Sequence, residues 1–173
     1  MMSQIEAINA FMDAGGFVLW MIFFVSMVLW FLLIERLLFF HFSLPDLRQR
    51  WLSQWTHRSD HISWQARMLR QKLLSEASLL LGVNTPLIRV LITIAPLLGL
   101  LGTVTGMITV FDVMAIEGSG NARAMASGVS RATIPTMAGM VVAITGLFLE
   151  KRYTNKLSNE LHSLSRQLQL KAE

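Results

Sequence analysis

Gly99, Gly102, Thr103 and Gly106 recur at spacings of three and four within an apolar run from Leu87 to about Ala115. They therefore share one face of a helix. A stripe of small residues lets a second backbone come close, and Thr103 places on it a hydroxyl that can donate and accept. The same hydroxyl can instead bond back to its own helix and pack as a small side chain. A second apolar run repeats the pattern. Ser127, Arg131, Pro135, Ala138 and Val142 crowd one side, with Thr136 and Gly139 beside them. Asp112 falls near the far end of the first run and Arg131 near the start of the second. His57 and His61, with Asp60 between them, have a spacing that binds zinc from a helix, but no third ligand converges and a solvated pair is expected.

The elements that position these residues follow from hydropathy. The chain has positive mean hydropathy and only 15% charged residues, and a soluble domain would carry a more charged surface. Its apolar residues gather into three runs of bilayer length, the pattern of a membrane protein. Residues 1–14 are weakly amphipathic and expected on the outer face; they lack the basic start of a secretory signal. The first span is 15–40. It opens at Gly15-Gly16, has Trp20 and Trp30 near its ends, and closes on Glu35-Arg36, expected as an interfacial pair with Arg36 snorkelling. Residues 41–85 form a basic loop, cytoplasmic by the positive-inside rule. In it, Leu47, Trp51 and Trp55 suit a helix lying in an anionic membrane surface. The stripe Ile62, Ala66, Leu69, Leu73, Ala77 and Leu80 predicts an amphipathic helix that Gly82 ends, with Thr85-Pro86 opening the next.

The second span is 86–114, a Gly-rich outer turn covers 115–123, and the third span is 124–149. Residues 150–173, with Leu157, Leu161, Leu164 and Leu168 on one stripe, make a basic cytoplasmic helical tail. The N-terminus is expected outside and the C-terminus inside. No cysteine is present, which excludes disulfides and a thiolate site. No His, Cys or paired acid lies within a span, so no enzyme chemistry, metal or cofactor is expected.

The run Ala95-Pro96-Leu97-Leu98-Gly99-Leu100-Leu101-Gly102-Thr103-Val104, closed by Gly106-Met107, resembles the second membrane helix of the ExbB/TolQ/MotA family, most closely its ExbB branch. Gly128 to Ile144 is similar to the family's third helix, with Thr136, Gly139 and Ala143 at motif positions. The resemblance implies an all-α membrane protein with three transmembrane helices per chain and short cytoplasmic helical extensions, assembling as a ring. It implies a homopentamer in the bacterial inner membrane whose second and third helices line a pore. An ExbD-like partner would sit in that pore, carrying an aspartate that takes up and releases protons, and a TonB-like protein would pass the force to outer-membrane transport, for example of iron complexes.

On that resemblance Thr103 and Thr136 match pore-lining threonines, with Gly99, Gly102, Gly106, Ala138 and Gly139 around them. Hydroxyls suit a carboxylate that cycles its charge, because a bare polar group in hydrocarbon is costly. Many members carry a glutamate where this chain has Arg131, and the family's proline late in the third helix is absent, with Thr145 and Gly146 near its place. Arg131 is then expected to set the field at the outer mouth, or to pair with an acid such as Asp112 or one on the partner. Other readings are a TolQ-like subunit of the cell-envelope motor, a MotA-like stator (disfavoured by the short loop), a small transporter (disfavoured by the lack of an inverted repeat) and a passive membrane anchor.

Overall fold

The computed structural model describes residues 2–57, 63–117 and 122–168. All regular structure in them is helical: α1 Met2–Phe42, α2 Leu44–Thr56, α3 Trp64–Gly82, α4 Thr85–Glu117 and α5 Ala122–Gln167. Three stretches, Gly15–Phe42, Trp64–Ile116 and Met125–Gln167, contain helix long and apolar enough to cross a bilayer. Asp60, His61, Ile62, Lys171 and the centre of the outer turn lie outside the described residues.

The chain divides into two units. The first comprises residues 1–30 and 89–147. Here α4 and α5 run antiparallel, in contact from Ala95 with Gly139 to Val110 with Gly128. α1 joins them through Val18, which reaches Gly102, and Leu29, which reaches Gly146. α1 is broken at Gly16, whose φ of 60° and ψ of −157° are non-helical. Only glycine takes that conformation without strain. Much of the unit's outer surface is apolar, including Phe17, Phe24, Leu97, Val104, Phe111, Val141 and Ile144. A bilayer covers such a surface without cost, since helices satisfy their own backbone.

The second unit comprises residues 31–88 and 148–173. Its core joins Trp51 and Trp55 of α2, Ala66, Leu73 and Ala77 of α3, and Leu164 with the following Leu168 at the end of α5. Trp51 and Trp55 are 3% and 5% exposed. The expectation that they lie in a lipid surface is therefore corrected: they are the largest side chains of a protein core. The arginines beside them misled. Arg48 turns to Glu160, 3.6 Å away, and to Ser163, and so ties α2 to α5. The stripe on α3 is as expected through Ala77 but then passes to Leu81, 1% exposed, leaving Leu80 on the surface.

The link from α3 to α4 turns at Asn84, φ 64°, with Gly82 conventional. Asn tolerates the left-handed region better than most residues. The Asn84 carbonyl accepts from Ile88 N–H at 2.9 Å, so Asn84 holds the N-cap position expected of Thr85. Thr85 lies inside the helix, and its buried hydroxyl has no hydrogen-bond partner among the described residues.

Replacing Trp51 with Ala should cost about 3–5 kcal/mol, the range for a large buried aromatic. Thermal unfolding in detergent, followed by near-UV circular dichroism, should show a lowered midpoint. Arg50→Ala, at an exposed position of the same helix, should leave the midpoint unchanged. A Trp51 variant that unfolds like wild type would remove α2 from the core.

Candidate functional site

The candidate site is the seam between α4 and α5, and its geometry follows from missing side chains. A Cβ on Gly139 would lie 2.5 Å from the carbonyl oxygen of Ala95. A Cβ on Gly99 would lie 2.9 Å from Cα of Thr136, and one on Gly106 2.6 Å from Cβ of Ala132. Pro135 packs its ring against Gly102. Backbone contact this close is the usual reward of a small-residue face in a membrane, where no hydrophobic force draws helices together. Pro135 has no N–H and so removes one bond of α5, but buried against Gly102 it fills the seam.

The threonines separate into two kinds. Thr93, Thr103, Thr105, Thr109, Thr133 and Thr145 each donate to a carbonyl three or four residues back on their own helix. Thr136 alone among the threonines of α4 and α5 within this unit crosses: its Oγ1 donates to the carbonyl of Gly99 at 2.8 Å. That carbonyl is reachable because Gly99 has no side chain in the way. Thr103, half-buried, donates to Leu100 at 2.7 Å. Both hydroxyl protons are thus committed, and each oxygen retains acceptor capacity only.

Gly99, Gly102, Gly106, Gly139 and Thr136 meet in one seam, and Thr103 flanks it. Ala138 lies on the other side of α5, where with Val142 it faces Leu19, Ile22, Phe23 and Ser26 of α1 across a cavity of about 140 Å³. Asp112 and Arg131 are both exposed, and neither makes an ion pair or hydrogen bond to another described residue.

Glu35 and Arg36 belong to the second unit. Arg36 Nε lies 3.0 Å from Glu35 Oε2, an ion pair between neighbours whose angle makes no hydrogen bond. Arg36 does not snorkel: it is 5% exposed. Its Nη1 donates to the Leu80 carbonyl at 3.4 Å, and its guanidinium stacks 5.3 Å from the Phe39 ring centre. One residue on, the Leu81 carbonyl accepts from the Tyr153 hydroxyl at 2.7 Å. Both carbonyls are in the last turn of α3, where the helix itself offers no donor. Burial pushes the Tyr153 phenol above the usual tyrosine value, opposed by the nearby Arg36 charge. Tyr153 was not singled out from the sequence. Its one signal there is that it is the only tyrosine in the chain.

A model of the MotA/TolQ/ExbB proton channel family matches residues 48–166, which include the whole seam. Two proteins of Synechocystis sp., both provisionally named biopolymer transport proteins, are similar over shorter stretches. ExbB-like 1 is 50% identical over 66 residues, 36% of this chain and 26% of that protein. ExbB-like 3 is 41% identical over 75 residues, 42% of this chain and 35% of that protein. The matched stretch thus spans well under half the length of either curated relative.

Gly139→Ala should force α4 from α5 and lower the thermal midpoint, at about 1–3 kcal/mol for an overpacked contact. Thr136→Val, which keeps the shape and removes the cross-helix donor, should cost about 0.6–1.7 kcal/mol. Gly82→Ala, where nothing lies within 4 Å, should stay within about 0.5 kcal/mol of wild type. Equal midpoints for Gly139→Ala and Gly82→Ala would mean that the seam is loose.

Proposed function

The chain belongs to the MotA/TolQ/ExbB proton channel family, and from that premise we propose that it is an ExbB-like ring subunit of a proton-motive-force-driven motor. The motor stands in the bacterial inner membrane, with the N-terminus of this chain periplasmic and its C-terminus cytoplasmic. Five copies surround the membrane helices of an ExbD-like partner, and the complex energises TonB-dependent outer-membrane transport. The chain is not an enzyme: the ring's work is to hold and gate a carboxylate that the partner supplies.

The observation that carries this reading is the Thr136–Gly99 hydrogen bond inside a glycine seam. A helix pair this closely locked is a rigid stave, and a ring built of staves keeps its bore while a partner turns within it. The described charged side chains of α4 and α5 between Val90 and Leu147 are Asp112 and Arg131. No carboxylate stands at mid-span, so a titrating acid has to come from another chain. The transport role, in preference to a TolQ-like one, is supported by the names of the two relatives.

The first test is the native mass of the chain purified alone in mild detergent. A discrete five-chain species is expected. The ring with its ExbD-like partner, reconstituted in vesicles, should then dissipate an imposed proton gradient, and Thr103→Val should slow that flux while leaving the native mass unchanged. A chain that stays monomeric in every mild detergent sinks the ring. A ring whose partner-dependent flux ignores Thr103→Val removes that residue from the proton path.

A further inference from the structure

We infer that Arg131 of one copy forms an ion pair with Asp112 of the next, so that the outer end of each subunit contact is electrostatic. The inference rests on the ring reading above and identifies a contact that closes it. Among the described residues of one chain these two are exposed and have no partner, although both stand on membrane-spanning helices. A charge at such a position requires a partner or water.

Register explains why the partner is not in the same chain. Gly106 meets Ala132 and Gly128 meets Val110, so Arg131 stands level with Met107 and Asp112 with Ala126. The two are offset along the helix axes by about 7–8 Å. Side chains on a helix lean toward its N-terminus. The helices are antiparallel, so Arg131 leans toward the level of Asp112 and Asp112 toward that of Arg131. A long arginine side chain closes an offset of that size.

Direction forbids the pairing within one copy. Asp112 is two residues beyond Val110, about 200° around α4 from the side that touches α5. Arg131 immediately precedes Ala132, about 100° off the seam on the flank of α5. One copy therefore presents an acid on one face and a base on another, at depths that the arginine side chain can bridge between neighbours in a ring standing upright in the bilayer. Two different patches that fit each other but cannot meet in one chain are the condition for a head-to-tail interface, which closes into a ring when the rotation permits.

The test is a charge swap. Native mass is measured for wild type, Arg131→Asp, Asp112→Arg and the double variant carrying both. Each single reversal places like charges together and should reduce the ring fraction at least tenfold, and the double should restore it. Single variants that assemble like wild type, or a double no better than the singles, overturn the pair while leaving the ring. A wild type that is monomeric throughout overturns the ring reading itself, and the pair with it.

A second measurement reads proximity without placing like charges together. The chain has no cysteine, so Arg131→Cys and Asp112→Cys can be combined and bridged with a short bis-maleimide. Cross-links between copies should give a ladder of dimers, trimers and larger species. Product that stays at monomer mass, whether bridged internally or not at all, overturns the inference.

Discussion

The structure of the first unit depends on what is missing at three positions of one seam. Without side chains at Gly99, Gly106 and Gly139, the backbones of α4 and α5 touch, and only then does the Thr136 hydroxyl reach a carbonyl on the other helix. In a bilayer this contact is not a detail added to a hydrophobic core. Lipid tails are as apolar as leucine, so close packing and a few cross-helix hydrogen bonds are the main forces that choose one helix pairing over another. The seam also fixes register, and register sets the depth of every other polar group in the unit. One additional methyl group at Gly139 would meet the Ala95 carbonyl oxygen at 2.5 Å, so the helices would have to shift there.

The second unit answers a different need. Its helix ends are buried, and the last carbonyls of α3 have no donor of their own. Arg36 from α1 and Tyr153 from α5 supply them at Leu80 and Leu81. Arg70 does the same for the end of α5, reaching the Leu168 carbonyl at 2.9 Å and Ser165 beside it. Cationic side chains at helix C-termini also meet the negative end of the helix dipole. Arg48 and Arg70, two of the basic residues that suggested a cytoplasmic loop, thus serve as fasteners within the unit, around a tryptophan–leucine core.

How much of this was legible in the sequence depends on the range of the interaction. The spans were legible because twenty apolar residues have one cheap solution. The small-residue face of α4 was legible because its spacing is local. Thr136 could not be told apart from Thr103 by local rules, since both sit near glycines. What separates them is a carbonyl thirty-seven residues away. Trp51 and Trp55 were misplaced for a related reason. An amphipathic helix shows which face is apolar, never whether lipid or protein covers it, and Arg48, one of the arginines that suggested lipid, is bound to Glu160 and Ser163 of α5. Arg36 was expected at the interface on its charge alone, and nothing near it in sequence announces Tyr153 or the open carbonyl of Leu80.

The hydrogen-bond inventory also constrains how the proposed ring would treat a partner's acid. A threonine hydroxyl has one proton to give. Thr103 gives it to Leu100 and Thr136 gives it to Gly99. In this arrangement both oxygens accept from a protonated carboxyl, and neither donates to a carboxylate. The resting seam therefore favours the neutral form of an acid beside it. To receive the charged form a hydroxyl must rotate away from its carbonyl. For Thr103 that sacrifices a bond within one helix, whose carbonyl remains bonded in the α-helical ladder. For Thr136 it breaks a bond between helices, with its share of the seam. The easier donor is Thr103. In the proposed ring Thr103 is thus the hydroxyl suited to alternate between the two states of the acid, while Thr136 holds the helix pair.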